Sequence, residues 1–272
     1  MAQAFTYDMA PTLGYRATLG LILLQSDETL EHEMRSVLGA PGGVALHCSR
    51  VPSAPDVSRE SLALMEDQLP AAAALLPAAP DYSVIGYGCT SGTSVIGADR
   101  VAQMVQRGRA TMTVTDPLTA LIAACQLLGL ARIALLTPYV IAVSQGMRDV
   151  LTANEIDTPV FGSFDEAEEA RVARIDADSL IKAATALGTS DEVEAVFLSC
   201  TNLRTLDVLP EIAAQIGKPV LSSNQVLIWH MARLAGIDVD LARFAWPYKS
   251  WEKRLWAKKA PGTKARRSPT GR

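Results

Sequence analysis

No stretch of this 272-residue chain stays apolar for the roughly 18 residues a membrane-spanning helix needs, because charge or proline interrupts every long run. The N-terminus, MAQAFTYDMAPTLGYR, lacks a basic segment followed by an apolar one, so no secretory leader is expected. Cysteine is scarce. The four thiols, Cys48, Cys89, Cys125 and Cys200, are scattered without the C-x-x-C spacing or histidine clustering of a zinc site, and they are expected to be free. A Walker loop and a G-x-G-x-x-G fingerprint are both missing. These absences predict a cytoplasmic protein with no membrane partner, no metal and no organic cofactor.

What is present is an ordinary globular balance, 49% hydrophobic and 20% charged, enough for one large domain or two small ones. The net charge of −4 conceals an asymmetry. From Lys253 onward eight residues are Lys or Arg and none is acidic, leaving 17 bases against 29 acids in the rest of the chain. An acidic body argues against nucleic acid as a partner. The tail over 251–272 is rich in Pro, Gly, Ser and Thr as well as charge, and it is expected to be disordered.

Short apolar runs alternate with amphipathic stretches along the chain. Strands are predicted at 18–24, 44–51, 82–88, 111–114, 132–137, 158–162, 194–199 and 218–222. Helical patterns such as DETLEHEMRSVL and DPLTALIAACQLLGL lie between them, the latter with Thr115 or Asp116 as N-cap and Pro117 in its first turn. The alternation predicts α/β architecture with parallel sheets.

A repeat is embedded in it. TLGLILLQSDETLEHEMR (18–35) and LARIALLTPYVIAVSQGMR (130–148) share a strand, a polar turn and a helix ending in Met-Arg, with Asp27 and Tyr139 matched 112 residues apart. VIGYGCTS and VFLSCTNL place Cys89 and Cys200 at matching strand ends, 111 residues apart. Two pseudo-symmetric units are therefore expected: 16–114, completed by a C-terminal helix at about 223–250, and 115–222. The cleft between them would be bounded by strand carboxyl ends.

A thiol that follows a strand and enters a helix sits near free N–H groups and the positive end of the helix dipole. That environment favours thiolate and lowers the pKa from about 8.5. The same amides, with Thr90, Ser91, Thr201 and Asn202, would make a nest for a substrate carboxylate. Two thiols on opposite faces of one carbon could exchange a proton between faces; alternatively, one could add to an activated double bond while the other delivers a proton. A lone strand-end cysteine is more often a small core residue, but a matched pair at the repeat offset favours chemistry. Cys125 lies in an apolar helix and is expected to be structural, as are the His47–Cys48 pair and His230.

Taken together, GYGCTSGTS, FLSCTNLRT, LLTPY and GLILLQSDETLE resemble the aspartate/glutamate racemase superfamily, in the branch of maleate cis-trans isomerases and arylmalonate decarboxylases. The resemblance covers roughly residues 16–236, and the QSDETLEHE turn is most similar to the ectoine-utilisation subgroup. It implies two α/β units with the site between them and catalysis by Cys89 and Cys200, as nucleophile and proton donor in the isomerase manner or as two bases in the racemase manner. Arylmalonate decarboxylases keep only the second cysteine, so Cys89 counts against that activity.

Two positions depart from the pattern. A Ser-Asn pair that holds a substrate carboxylate in maleate isomerases is here Ser26-Asp27, and an asparagine of the second unit falls on an acid near Glu169; a tyrosine is kept as Tyr139. An ionised Asp27 about 4 Å from a substrate carboxylate would repel it by a few kcal/mol. The expected function is a cofactor-independent isomerase or racemase for a small carboxylate, of ectoine- or hydroxyectoine-derived amino-acid type. Maleate isomerisation, arylmalonate-type decarboxylation and a non-catalytic binding role are the alternatives. No segment marks an interface, and the expected partners are the small-molecule carboxylate and at most further copies of the chain.

Overall fold

The computed structural model describes residues 2–38 and 42–246. The tail at 251–272 and the end of the helix expected over 223–250 lie outside the described residues.

Among the described residues, eight strands and ten helices follow in order. They are β1 (Ala17–Leu24), α1 (Leu30–Leu38), β2 (Val44–Val51), α2 (Arg59–Ala74), β3 (Val84–Gly88), α3 (Thr90–Ile96), α4 (Ala98–Gly108), β4 (Val114–Thr115), α5 (Pro117–Leu128), β5 (Arg132–Thr137), α6 (Ile141–Ala153), β6 (Asp157–Ser163), α7 (Glu169–Val172), α8 (Ala177–Gly188), β7 (Ala195–Leu198), α9 (Leu209–Ile216), β8 (Val220–Ser222) and α10 (Ser223–Leu234). A short 3-10 turn, Ala242–Phe244, comes after α10.

The strands form two four-stranded sheets of identical plan, ordered β2-β1-β3-β4 and β6-β5-β7-β8, and every pair is parallel. The unbroken apolar run of β1 has a physical reason. A parallel strand covered by helices on both faces has no solvent side, so alternation is lost and all eight of its residues are buried. Each large aliphatic side chain so enclosed contributes roughly 1.5–3 kcal/mol. Strand β4 is only two residues long, shorter and later than the TMTV run suggests, because Thr111–Thr113 turn back on themselves through the Thr111 hydroxyl.

Capping sets where the helices begin. Asp116, rather than Thr115, caps α5, its Oδ1 accepting the Leu118 and Thr119 amides at 2.9 Å, and Gly129 ends that helix in the left-handed region. Helix α10 stops at Leu234, well short of the expected extent, and Gly236 with positive φ turns the chain. It leaves the second sheet at β8 and packs on α5, β3 and α1, joining the two halves.

In each sheet the chain runs outward in opposite directions from the first and third strands of its unit. This is the switch point where an open parallel sheet leaves a crevice at its carboxyl edge. Asp27 follows β1, Cys89 follows β3, Tyr139 follows β5 and Cys200 follows β7, so all four candidate residues lie at switch-point edges.

Candidate active site

Cys89 is the N-cap of α3, and its Sγ accepts the Gly92 amide at 3.1 Å with the Ser91 hydroxyl 3.7 Å away. Gly92 has to be glycine for packing reasons. A Cβ there would stand 2.6 Å from the Tyr87 hydroxyl and 2.9 Å from Cys89 Sγ. Tyr87, two residues back on β3, is wholly buried beside this thiol, and its hydroxyl donates to Met65 Sδ at 3.8 Å.

Cys200 is built differently, and here the expected helix entry is corrected. Residues after it form a turn, and α9 begins only at Leu209. Cys200 itself has φ +115°, a conformation costing on the order of 1–3 kcal/mol in a non-glycine residue. The surroundings hold it there. Its amide donates to Ser223 Oγ at 3.0 Å, Asn202 N–H points at its Sγ at 3.4 Å, and the buried Tyr139 side chain lies beside the thiol. Each thiol therefore has a tyrosine of its own.

The four residues expected to form an anion nest are mostly engaged within the protein. The Thr90 hydroxyl pairs with Ser223 at 2.8 Å, and Thr201 donates to Gly88 O at 3.1 Å. Asn202 fastens three segments together: its Oδ1 accepts the Glu28 amide at 2.8 Å, while its Nδ2 reaches Ser26 O at 3.4 Å and Glu169 Oε2 at 3.1 Å. Ser26 is further held through Ser53, at 3.1 Å between hydroxyls. These side chains assemble the site more than they leave donors open, because a buried polar group without a partner is costly.

The acid expected near Glu169 is Glu169 itself, buried at the start of α7 beside Asn202. Asp27 lies in the turn after β1, and its Oδ1 accepts the Thr29 and Leu30 amides at 2.9 and 2.8 Å. Cys89, Cys200, Asp27 and Glu169 are only 3%, 4%, 4% and 4% exposed, so the site is closed. Above it, the loop after β2 and the pseudo-equivalent loop after β6 meet. Val57 N–H donates to Ala167 O at 2.9 Å, Glu169 N–H donates to Pro55 O at 3.1 Å, and Asp56 and Glu168 form an antiparallel bridge.

Burial overturns the expected thiol acidity. Desolvation, with the charge of Glu169 second, pushes Cys89 up to about 12 and Cys200 well above the ordinary thiol value; the Gly92 and Asn202 amides offset only part of this. Desolvation likewise raises Asp27 and Glu169, and for Glu169 the nearby Asp27 adds to the rise. Burial thus favours the protonated form of both thiols in the closed site.

The other sequence candidates fall outside this cluster. Cys125 is wholly buried in α5. Cys48 faces Arg35 and Glu31 on the outer side of the first sheet. His230 pairs through Nδ1 with Thr115 at 2.7 Å, and burial lowers it to about 4. Among the described residues, no His, Cys, Asp and Glu cluster could hold a metal ion, and no helix is long and apolar enough to cross a membrane. Ser223 was not singled out by motif. In LSSNQVL one serine caps α10 and its neighbour reaches back to Cys200, a difference visible only in three dimensions.

Fold and site together define a class: α/β proteins of two matched parallel sheets with paired cysteines at the switch points. Residues 56–244 match the family model described as arylmalonate decarboxylase, and the chain belongs to that family. The arylmalonate decarboxylase of Bordetella bronchiseptica is 30% identical over 119 residues, 43% of this chain and 50% of that protein, so the match spans half its length. The maleate isomerase of Nocardia farcinica is 28% identical over 232 residues, 81% of this chain and 91% of that enzyme. A crystal structure of the N. farcinica maleate cis-trans isomerase, a cysteine-to-serine mutant with a covalently bound succinylcysteine intermediate, superposes with TM-score 0.75 at 23% identity, covering 84% of this chain and 98% of that one. The fold is that of maleate isomerase and arylmalonate decarboxylase structures.

Proposed function

We propose that the protein is an isomerase that uses Cys89 and Cys200 as a pair on a small carboxylate substrate. The observation that carries this is the placement of two buried thiols, each facing backbone amides and with a buried tyrosine nearby, at the matching carboxyl ends of β3 and β7. In the cis-trans route, Cys89 gives up its proton to solvent as substrate enters, its thiolate adds to one alkene carbon, the π pair moves to the neighbouring carbon, and Cys200 gives that carbon its proton. Rotation follows about what is now a single bond. Cys200 then takes the proton back, the C–S bond breaks and the alkene reforms, leaving Cys89 as thiolate and Cys200 as thiol. The succinylcysteine in the N. farcinica structure supports this route over direct two-base proton exchange.

Maleate is the substrate that the relatives favour. The two buried acids favour a different molecule of similar size, with a cationic group in place of one carboxylate. Ectoine- and hydroxyectoine-derived amino acids are compounds of that kind. Decarboxylation is a weaker reading, since both cysteines are retained.

The test is turnover in deuterated water across maleate, amino acids and ectoine derivatives, with Cys89→Ala and Cys200→Ala beside the parent. Isomerisation lost by roughly a thousandfold or more in either variant, with ligand binding kept, is expected. Unchanged turnover in both variants rules the mechanism out, and binding without turnover in the parent indicates a binding protein instead.

A further inference from the structure

Asp27 and Glu169 flank a single carboxamide. Asn202 Nδ2 lies 3.4 Å from the carbonyl of Ser26, next to Asp27, and 3.1 Å from Glu169 Oε2. Asn202 is two residues beyond Cys200, so both acids border the Cys200 side of the site. Asp27 Oδ1 is fully used by two amides, yet its Oδ2 is buried without a hydrogen-bond partner among the described residues. The Thr201 hydroxyl beside this carboxyl has its proton on Gly88 O. None of the six ion pairs among the described residues involves Asp27 or Glu169. Arg50, the cation nearest Asp27, directs its guanidinium to the carbonyls of Leu24, Gln25 and Asp27 and to Glu31. A buried carboxylate oxygen with no hydrogen-bond donor, its nearby Arg50 engaged with main-chain carbonyls and Glu31, is costly to keep unless a ligand supplies one.

We propose that Asp27 and Glu169 together bind a cationic nitrogen of the substrate, an ammonium or an amidinium, so that the enzyme acts on small carboxylates bearing such a group and disfavours dicarboxylates. This rests on the two-thiol reading only in taking the ligand to lie beside Cys200. The same cation would also activate the thiols. The negative charge of Glu169 opposes ionisation of both Cys89 and Cys200, and a positive charge set against it removes that opposition as the substrate arrives. A dianion would do the reverse. The rival arrangement is a protonated Asp27 donating to a substrate carboxylate, and asparagine separates the two: it keeps a donor and removes the charge.

Matched probes decide between them. Calorimetric titration of the full chain with 3-aminopropanoate against succinate, and 4-aminobutanoate against glutarate, compares an ammonium with a carboxylate at one end of the same carbon chain. The amino member of each pair is expected to bind at least about tenfold tighter, a difference of about 1.4 kcal/mol. Asp27→Asn and Glu169→Gln should each lose about tenfold for the amino member and gain for the dicarboxylate. Asparagine can still accept the Thr29 and Leu30 amides, and circular dichroism verifies the fold of each variant. Tighter binding of dicarboxylates to the parent, an unchanged preference in both variants, or binding of neither member overturns the proposal. Loss of turnover in the cysteine variants tests the isomerase reading separately and leaves this binding order untouched.

Discussion

The hydroxyl of Ser223 accepts the backbone N–H of Cys200 at 3.0 Å. It also pairs with Thr90 at 2.8 Å, so one side chain at the start of α10 joins the turn bearing one thiol to the helix capped by the other. Ser223 is a positioning residue, and Cys200 needs one because its φ of +115° is not a conformation the chain adopts unaided. Ser223→Ala should leave the Cys200 amide buried and unpaired at a cost of about 1–3 kcal/mol. The expected outcome is a lower melting temperature and a kcat reduced about tenfold with KM nearly unchanged. A variant that melts lower yet keeps full kcat would assign Ser223 to folding alone.

Gly92 supports a second prediction. Its missing side chain makes room for the Tyr87 hydroxyl, Cys89 Sγ and Met65 Cε, which a Cβ would meet at 2.6, 2.9 and 3.1 Å. Tyr87 is wholly buried and has little room to retreat. Gly92→Ala should cost about 1–3 kcal/mol through overpacking and displace the Cys89 sulfur. Thermal melts and turnover together check it, and a variant as stable and active as the parent would mean that α3 shifts freely.

Much of this arrangement is legible in the chain because the two units repeat one plan. Strand-end cysteines in matching contexts, Cys89 and Cys200, and matching turns, Asp27 and Tyr139, bring four candidate residues to one buried cluster from local pattern alone. What is not legible depends on distant contacts. Ser223 acts on an amide 23 residues earlier, and Glu169 lies in a connection without periodicity, so local pattern does not show that its side chain meets Asn202. The acidity of the thiols is not legible for a related reason. A helix dipole can be inferred from neighbours in sequence, whereas desolvation depends on everything that covers the site, and here desolvation outweighs the dipole.

Glu33 makes stability depend on pH. Its carboxylate accepts the Thr205 and Leu206 amides at 2.7 and 3.0 Å and Asn224 Nδ2 at 2.6 Å, fastening α1 to the turn after Cys200 and to α10. Burial, with Asp207 nearby, nevertheless pushes its pKa from 4.5 to about 7. A carboxyl whose folded pKa lies above its unfolded one binds its proton more tightly in the native state. Its contribution is therefore fully present below about 4.5 and is lost as pH rises through about 7. Melting temperature should fall across that window, and Glu33→Gln should flatten the fall. Asp27, Asp116 and Glu169 are shifted in the same direction and keep some slope. An identical slope in Glu33→Gln would remove Glu33 from the account.

The contact between the loops after β2 and β6 covers the candidate site. Both thiols and both acids are almost fully covered, so ligand must displace something. Two backbone bonds, from Val57 to Ala167 and from Glu169 to Pro55, join the two loops over the site. Each such bond contributes on the order of 1 kcal/mol, so parting these loops is a low-cost way to uncover the cluster. Opening would also withdraw Glu169 from Asn202, since its backbone is part of the contact. Hydrogen exchange should therefore find the Val57 and Glu169 amides far less protected than Leu21 at the centre of β1. Iodoacetamide should alkylate Cys89 and Cys200 at a rate that follows this opening, while the half-buried Cys48 reacts independently of it. Protection at Val57 and Glu169 equal to that at Leu21 would place the entrance elsewhere.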